Sequence, residues 1–351
     1  MLSLPLLSAA AFFSLSLASP LQRDLTSIYL NKGANNCFPA LGFQPPPGNP
    51  TMPPSLWWCD QSSEQGFFGF SYAIDDCQST DTLVKDFTRM RHDFNARYVR
   101  IYSACESDDN IYDRIINAGY KAGVGVYALI WFGFNNDNVW MRRRDALIKT
   151  IQSNPLAPYV VRSVDVGSEP LFDQVLSPPD LAKQVRNVRS KLSKYGIPVS
   201  ISEMQYGYVS PDNVDTSKEV LDAVDAIHSH ELHFFDADAQ NGTDAWPAIL
   251  FNVNWFLNQT SHSKKIVFTQ TGWPSNDNVW KANSATAVAS VQAEQAFMNL
   301  LDSKCSELKS LAPLGGVGWF WQIWSDNMLD GWGALNQTGS PKFKFAPATA
   351  C

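Results

Sequence analysis

The hydrophobic pattern of the chain alternates regularly from residue 66 onward. Short apolar runs rich in β-branched and aromatic residues predict buried strands, and the longer segments between them predict helices. The predicted strands cover residues 67–72, 98–103, 124–131, 160–167, 198–203, 225–230, 266–270 and 318–323. The predicted helices cover residues 80–94, 109–122, 138–152, 180–195, 217–224, 243–257 and 285–301. This alternation predicts an α/β fold, a single (β/α)₈ barrel spanning residues 63–351, rather than a doubly wound sheet.

Capping residues are predicted at two of these helices. Asp137 or Asn138 precedes the helix at 138–152 and is expected to cap it. Asp180 is expected to cap the helix that ends before Gly196.

The first 18 residues predict a secretory signal peptide. The apolar stretch from Leu4 to Leu17 is too short to span a bilayer, and Ser16-Leu17-Ala18 offers small residues for cleavage. A charged residue before this stretch is missing. The alternative, a buried N-terminal helix, is disfavoured by the Ser-Pro-Leu-Gln-Arg break that follows. We therefore expect a secreted protein, extracellular or associated with a cell wall.

Residues 19–62 predict an irregular, proline-rich N-terminal arm. The prolines between Pro45 and Pro54 disfavour regular structure. Trp57-Trp58-Cys59 is expected to fix the arm onto the barrel, and an extra substrate contact from the tryptophans is the second interpretation.

Composition adds information about partners. The chain is 45% hydrophobic and 17% charged, and its 12 Trp, 21 Phe and 11 Tyr exceed what a core needs. Some of these rings are expected to stack on flat ligands such as sugar rings. The net charge of −7 argues against nucleic acid and anionic membranes as partners. We expect a monomer.

Six cysteines, an even number, are typical of an oxidising compartment. Sequence alone leaves the pairing open, and spacing favours Cys37–Cys59, Cys77–Cys105 and Cys305–Cys351. Three Asn-x-Thr acceptors for N-glycosylation, at Asn241, Asn258 and Asn336, agree with secretion.

Two predicted strands end in polar side chains that are candidates for catalytic residues. Val166-Gly167-Ser168-Glu169 ends the fourth strand, and Gln270 ends the seventh before Thr271-Gly272-Trp273-Pro274-Ser275. Carboxyl ends of barrel strands face the active-site cleft. Two carboxylates at such ends, about 5–5.5 Å apart, are the arrangement of a retaining glycosidase.

With these motifs the chain resembles glycoside hydrolase family 17, the secreted β-1,3-glucanases and glucanosyltransferases of fungi and plants. The resemblance covers most of residues 66–330 and is closest to the fungal branch. Arg100-Ile101-Tyr102 and His233-Phe234-Phe235-Asp236 support it. It implies that Glu169 is the acid/base catalyst and that β-1,3-glucan is the ligand. It also places Gln270 at the nucleophile position, where the family has Glu.

The glutamine predicts weak or absent turnover. A neutral amide keeps the shape of the carboxylate but is a poor nucleophile and cannot stabilise an oxocarbenium ion as an anion would. Two alternatives stay open: a carbohydrate-binding pseudoenzyme that masks or senses β-glucan, and an inverting enzyme with a relocated base. The candidate bases are Glu203, Asp236, Asp238 and Asp326.

Further residues are expected to contact substrate near the strand ends. They are Tyr72, Tyr102, Ser168, Phe235 and Trp273. For Trp319, Trp321 and the other aromatic residues near strand ends, core packing is as well supported as sugar stacking. His228 and His230 share a strand face without a third ligand, so they predict structural or cleft polar groups and no metal site. No cofactor is expected.

Overall fold

The computed structural model of the chain describes residues 36–135, 137–209 and 217–351. Its centre is a closed barrel of eight parallel strands that neighbour one another in chain order. The strands are β1 Gly66–Ala73, β2 Tyr98–Tyr102, β3 Gly125–Ile130, β4 Val161–Ser168, β5 Val199–Glu203, β6 Ile227–Glu231, β7 Ile266–Thr271 and β8 Val317–Trp321. Pairing of Gly66 with Gly318 closes the barrel between β1 and β8. The predicted (β/α)₈ fold is confirmed.

Helices surround the barrel. In the described part of the chain they are α1 Pro54–Trp57, α2 Thr80–Phe94, α3 Ile111–Ala122, α4 Val139–Ser153, α5 Ala157–Val160, α6 Pro178–Leu192, α7 Lys218–Ala223, α8 Trp246–Gln259, α9 Val291–Ser303 and α10 Cys305–Leu311. Short 3₁₀ turns, such as Gln205–Tyr208 and His233–Phe235, follow some of the strands.

Helix starts differ from the prediction at two places. The prediction that Asp180 caps α6 is wrong, because the cap is Ser177, whose hydroxyl accepts a hydrogen bond from the backbone N–H of Asp180. Two prolines fill the first turn of α6 and place Asp180 at its third position. At the start of α4, Asp137 accepts the N–H of Val139 at 2.9 Å, while Asn138 makes no capping bond.

The described part of the arm, residues 36–62, packs against the helices of the barrel. Indole N–H groups of Trp57 and Trp58 donate to the carbonyl oxygens of Tyr159 and Pro158 at 2.8 and 3.0 Å. The Arg91 guanidinium on α2 donates to four arm carbonyls, the shortest bond being 2.6 Å to Ala40. The tryptophans therefore fix the arm, as predicted. The expectation of no regular structure is wrong for α1, which begins at Pro54.

The predicted signal peptide and the first part of the arm lie outside the described residues. All three predicted disulfides, Cys37–Cys59, Cys77–Cys105 and Cys305–Cys351, are present. The second joins the loop after β1 to the loop after β2, beside the carboxyl ends of the strands.

The barrel interior holds an apolar cluster and, beside it, buried polar groups. The cluster consists of aromatic and aliphatic side chains, namely Phe68, Tyr98, Tyr127, Val267 and Phe320. Arg100, Asp165 and His228 are also buried, and the Nδ1 of His228 is 2.5 Å from a carboxylate oxygen of Asp165. The ring of His228 lies 5.4 Å from that of Tyr127, so the polar groups adjoin the apolar cluster.

Candidate active site

Glu169 directly follows β4 and is held there by local backbone geometry. Its φ of 58° is left-handed, and its N–H donates to the carbonyl oxygen of Ser202 at 2.7 Å. Gly167 has a φ of 98°, and a Cβ there would lie 2.6 Å from the Phe132 ring. The glycine of the motif is therefore required both by its backbone angle and by close packing.

His230 sets the chemical state of Glu169. The Nδ1 of His230 lies 3.0 Å from Glu169 Oε1, and its Nε2 lies 2.6 Å from the Ser202 hydroxyl. Burial tends to raise the pKa of Glu169, but the hydrogen bond and electrostatic interaction with His230, followed by the charge of Arg100, outweigh it and bring the pKa below its ordinary value. Burial also lowers the pKa of His230. A neutral imidazole that donates from Nδ1 and accepts at Nε2 fits both contacts.

Gln270 occupies the interior of the barrel beside this pair. Its side chain is buried, and its Nε2 donates to the Ser168 hydroxyl at 3.1 Å. Its Cα is paired with that of His230, next to a register shift between β6 and β7. This shift lets two consecutive residues of β7 face polar groups, because the hydroxyl of Thr269 contacts that of Ser202. The structure thus brings Glu169 and Gln270 to adjoining hydrogen-bonded groups.

Arg100 connects the two sides of the site from below. Its Nη2 donates to the hydroxyls of Ser168 and Ser202, each at 3.2 Å. Burial lowers the pKa of this guanidinium, while the charges of Asp165 and Glu169 act in the opposite direction. The side chain is fully buried, and it stiffens the network that carries Glu169 and Gln270.

Several members of this network were not singled out from the sequence. They are Arg100, Asp165, Ser202 and Thr269, of which Arg100 entered only as part of a motif. The signal available was polar residues at alternate positions of β5 and β6, such as Ser200 and Ser202, because alternate strand residues face the same side. His228 and His230 do share the inner face, as predicted, with Asp165 and Glu169 as their partners.

Two of the aromatic residues predicted to contact substrate have accessible rings. Tyr102 is half-buried and lies edge-to-face with Trp131, with ring centroids 5.0 Å apart. Phe235 is half-buried and stacked on Trp332 at 5.8 Å. Ser168 lies between Arg100 and Gln270 and is nearly buried. These placements are compatible with the predicted contacts.

Tyr72 and Trp273 are placed differently. Tyr72 is fully buried between β1 and α2, where its hydroxyl donates to Asp86 at 2.7 Å. Trp273 is buried against Phe234, and its indole N–H donates to the carbonyl oxygen of Val288 at 3.1 Å. Both side chains are enclosed by protein, which argues against the predicted substrate contacts. Trp319 and Trp321 are also core residues.

The proposed relocated bases are mostly occupied by other contacts. Both carboxylate oxygens of the buried Glu203 accept backbone N–H bonds, and those of Leu171 and Met204 are 2.7 and 2.9 Å long. Burial raises the pKa of Glu203 to about 8, against the effect of these bonds. Asp326 accepts from Lys342 and from the backbone N–H of Gly333.

The other two acids lie in the loop that follows β6. Asp236 pairs with His233 at 2.7 Å, and Asp238 is exposed. Within the described residues, neither is hydrogen-bonded to Arg100 or to the groups bound to it, Ser168 and Ser202.

Two further findings concern the described residues alone. No group of three or more His, Cys, Asp or Glu side chains among them could hold a metal ion. Within the same residues, no helix has the length and apolar character that crossing a membrane requires.

The sequence of the chain matches a model of a known protein family. Residues 69–327 match the family model of the BtgE/BtgC glycoside hydrolase domain. No curated protein matches the sequence.

Among solved structures, a glycoside hydrolase family 17 β-1,3-glucanosyltransferase from Rhizomucor miehei is similar, with a TM-score of 0.64 and 18% identity over 82% of this chain and 99% of that one. An active-site mutant of the Rhizomucor miehei enzyme in complex with laminaritriose matches with a TM-score of 0.64 and 17% identity over the same shares. A GH5_18 protein from Bifidobacterium longum subsp. infantis matches with a TM-score of 0.58 and 13% identity, over 79% of this chain and 76% of that one. These structures share the fold, and the sequence match assigns the family. The chain belongs to the BtgE/BtgC glycoside hydrolase domain family.

Proposed function

We propose that the protein is a secreted, glycosidase-like protein that binds β-1,3-glucan and turns it over weakly or not at all. The observation that carries the proposal is the side chain at the end of β7. Gln270 presents an amide to the site, and this amide donates to Ser168 while Glu169 stands at the end of β4. With Glu169 as the acid and Gln270 at the nucleophile position, as proposed, the two positions of a retaining glycosidase hold one carboxylate and one neutral group.

The first consequence is the loss of the covalent step. Retaining hydrolysis and transglycosylation both require an anionic oxygen that attacks the anomeric carbon and stabilises positive charge there. The amide oxygen of Gln270 carries no full negative charge, and the amide nitrogen is engaged with Ser168. Both reactions are expected to be suppressed together.

The second consequence concerns the proton donor. A carboxylate close to Glu169 would raise the pKa of Glu169 by like-charge repulsion, which keeps an acid protonated near neutral pH. Gln270 supplies no such charge, and the pKa of Glu169 lies below its ordinary value. The ionised form of Glu169 is thus favoured, and this form does not donate a proton to a leaving oxygen. The glutamine removes the nucleophile and also weakens the acid.

Binding is expected to survive these changes. Tyr102 and Phe235 offer half-buried rings, and the ionised Glu169 is a strong acceptor for sugar hydroxyls. β-1,3-Glucan is proposed as the ligand because the similar Rhizomucor miehei structures are a β-1,3-glucanosyltransferase and its active-site mutant in complex with laminaritriose. Secretion is supported by the three disulfides and by the exposed sequon residues Asn241 and Asn258.

The test compares the natural protein with Gln270→Glu on a linear β-1,3-glucan. Binding is measured by isothermal titration calorimetry, and products are followed by NMR of the anomeric proton. We expect both proteins to bind, the natural protein to release little or no product, and the variant to release product with retained configuration. Glu169→Gln in the Gln270→Glu background is the matched control and should abolish the release.

Two results would overturn the proposal. Absence of glucan binding by the folded natural protein removes the ligand assignment. Rapid hydrolysis by the natural protein with inverted configuration would instead establish a relocated base, with Asp236 as the next residue to substitute.

A further inference from the structure

A cavity lies at the amino-terminal end of the barrel, opposite to the strand ends that carry Glu169 and Gln270. Its volume is about 370 Å³, at the small end of the range of about 300–1,000 Å³ for ligand pockets. We call it the floor pocket. Part of its rim is formed by residues that come shortly before strands, namely Glu64, Pro198, Ala226 and Lys265.

Two buried side chains of the barrel interior line the floor pocket. Tyr127 is 3% exposed and His228 is 2% exposed, and their ring centroids are 5.4 Å apart. The Nδ1 of His228 lies 2.5 Å from Asp165, and because a carboxylate only accepts hydrogen bonds, Nδ1 is the donor and Nε2 stays available. Within the described residues, neither this Nε2 nor the Tyr127 hydroxyl has a hydrogen-bond partner. Buried polar groups are nearly always hydrogen-bonded, so both atoms are suited to bind a ligand in the cavity.

A guanidinium is fixed in the wall of the same cavity. The Nε and Nη2 of Arg162 each donate to the Glu64 carboxylate at 2.9 Å, and the guanidinium lies over the Trp58 ring, 5.3 Å from its centroid. In the described part of the chain, the Nη1 of Arg162 has no hydrogen-bond partner. A planar guanidinium held along one edge presents its remaining N–H groups in a fixed direction, which suits the recognition of a carboxylate.

The floor pocket is positively charged, although the chain as a whole has a net charge of −7. The charged side chains that line it are three cations and two anions, a sum of +1, namely Arg162, Arg189, Lys265, Glu64 and Asp225. Burial lowers the pKa of Lys265 to about 8, and the positive charge of Arg162 acts in the same direction. The ammonium group donates to three backbone carbonyl oxygens, so it contributes charge to the cavity. An anion in the cavity would be attracted by this excess of positive charge.

Apolar groups complete the lining and restrict the kind of anion that fits. They include Ile197, Pro198 and Val267. These groups suit a carbon skeleton, whereas a phosphate ion has oxygen atoms on every side and would lose hydration against them without gaining donors. A neutral sugar would leave the excess positive charge without a counter-ion. The combination of one fixed guanidinium, two further polar atoms and an apolar side therefore favours a small organic acid.

We propose that the floor pocket binds a small hydroxycarboxylate. The ligand carboxylate accepts from Arg162 Nη1 and from the Tyr127 hydroxyl, and the ligand hydroxyl pairs with His228 Nε2, because a hydroxyl both donates and accepts. Barrels of this type normally use their amino-terminal end for stability, so this site is additional to the one at Glu169. The proposal is independent of glucan binding, because the two sites lie at opposite ends of the strands.

The test measures binding of lactate to the natural protein by isothermal titration calorimetry, at low ionic strength in a buffer without carboxylates. Propionate, which lacks the hydroxyl, and inorganic phosphate are the comparison ligands. We expect lactate to bind at one site per chain, propionate to bind about fivefold more weakly, and phosphate to show no saturable binding.

The variant Tyr127→Phe removes the hydroxyl and keeps the ring contacts with Tyr98 and Phe320. Because this hydroxyl has no partner among the described residues, the Tm without ligand should not change. We expect lactate to bind Tyr127→Phe about tenfold more weakly than the natural protein. Tyr208→Phe is the matched control and should bind lactate like the natural protein, since it removes another buried, unpartnered hydroxyl, in the turn after β5 at the other end of the barrel.

Each other result overturns the inference. Absence of saturable lactate binding shows that the cavity is not a ligand site. Equal affinities for phosphate and lactate indicate an adventitious ion only, and equal affinities for propionate and lactate contradict the contact with His228. An unchanged affinity of Tyr127→Phe, or an equal loss in Tyr208→Phe, places the ligand outside the floor pocket.

Discussion

Replacing Glu203 with leucine tests whether this carboxyl group organises loops or performs chemistry. In the native fold Glu203 accepts three backbone N–H groups, from Leu171, Phe172 and Met204, at 2.7, 3.2 and 2.9 Å. Leucine has a similar size and accepts none of them. A buried donor left without a partner costs about 1–3 kcal/mol.

The magnitude follows from two opposing effects. Three orphaned donors give an upper range of about 3–9 kcal/mol. Part of this is offset, because Phe172 is half exposed and its loop can regain water. In addition, burial raises the pKa of Glu203 to about 8, so folding at pH 6 requires the carboxyl to take up a proton, and this cost is absent in the leucine variant. We expect the free energy of unfolding to fall by about 3–5 kcal/mol, a change of about 10 °C in Tm.

The assay is thermal and urea unfolding at pH 6, with Glu203→Gln as the graded control. The glutamine keeps one acceptor oxygen for Leu171 and Phe172, so it should lose only about 1–2 kcal/mol. Unchanged stability of both variants, combined with loss of a glucan-cleaving activity, would refute the structural role and make Glu203 the base.

Two further predictions concern a charge pair and a packed tyrosine. Burial acts to lower the pKa of His233, but the hydrogen bonds to Asp236 and Glu231 prevail and raise it to about 9, against about 6.5 in the unfolded chain. The stabilisation from this charge is therefore full below pH 6.5 and is lost as pH rises through about 9. The difference in free energy of unfolding between the natural protein and His233→Gln should shrink by about 3 kcal/mol between pH 6 and 10, as measured by urea unfolding. A difference that stays constant with pH would contradict this. Tyr72→Phe leaves Asp86 without its 2.7 Å hydroxyl donor and should cost about 1–2 kcal/mol in thermal unfolding, with unchanged glucan affinity in calorimetry. Weaker glucan binding by Tyr72→Phe would instead support a substrate contact of Tyr72.

The barrel was predictable because strands and helices recur at regular intervals in the sequence. Helix α2 has the predicted bounds, residues 80–94. The start of α9 was predicted at residue 285 but lies at Val291, because Ser290 provides the cap while the preceding alanine-rich residues form a loop. Local composition favours a helix there, and only the capping geometry decides where it begins.

The direction of strand-end side chains was not predictable from sequence. Tyr72 is the second-last residue of β1 and Tyr102 the last of β2, and in their register Tyr72 pairs with Ile101 and Ala73 with Tyr102. Paired residues point to the same face, so the two tyrosines point to opposite faces of the sheet. The inner position of both Thr269 and Gln270 likewise depends on a register shift between β6 and β7, which the hydrophobic pattern of the sequence does not predict. Sequence motifs were enough to locate Glu169 and Gln270. The hydrogen bonds between them, through Ser168, Arg100, Ser202 and His230, could be identified only from the folded barrel.

The way the arm is held has a consequence for the order in which the protein matures on the ribosome. The groups that bind the arm, Arg91, Tyr120 and Tyr159, are all translated after it. Strand β1 also depends on a late segment, because the N–H of Phe67 donates to the carbonyl oxygen of Ala348 at 2.9 Å. The arm can therefore make these contacts only after later segments have been synthesised, and the Phe67 bond of β1 requires residue 348.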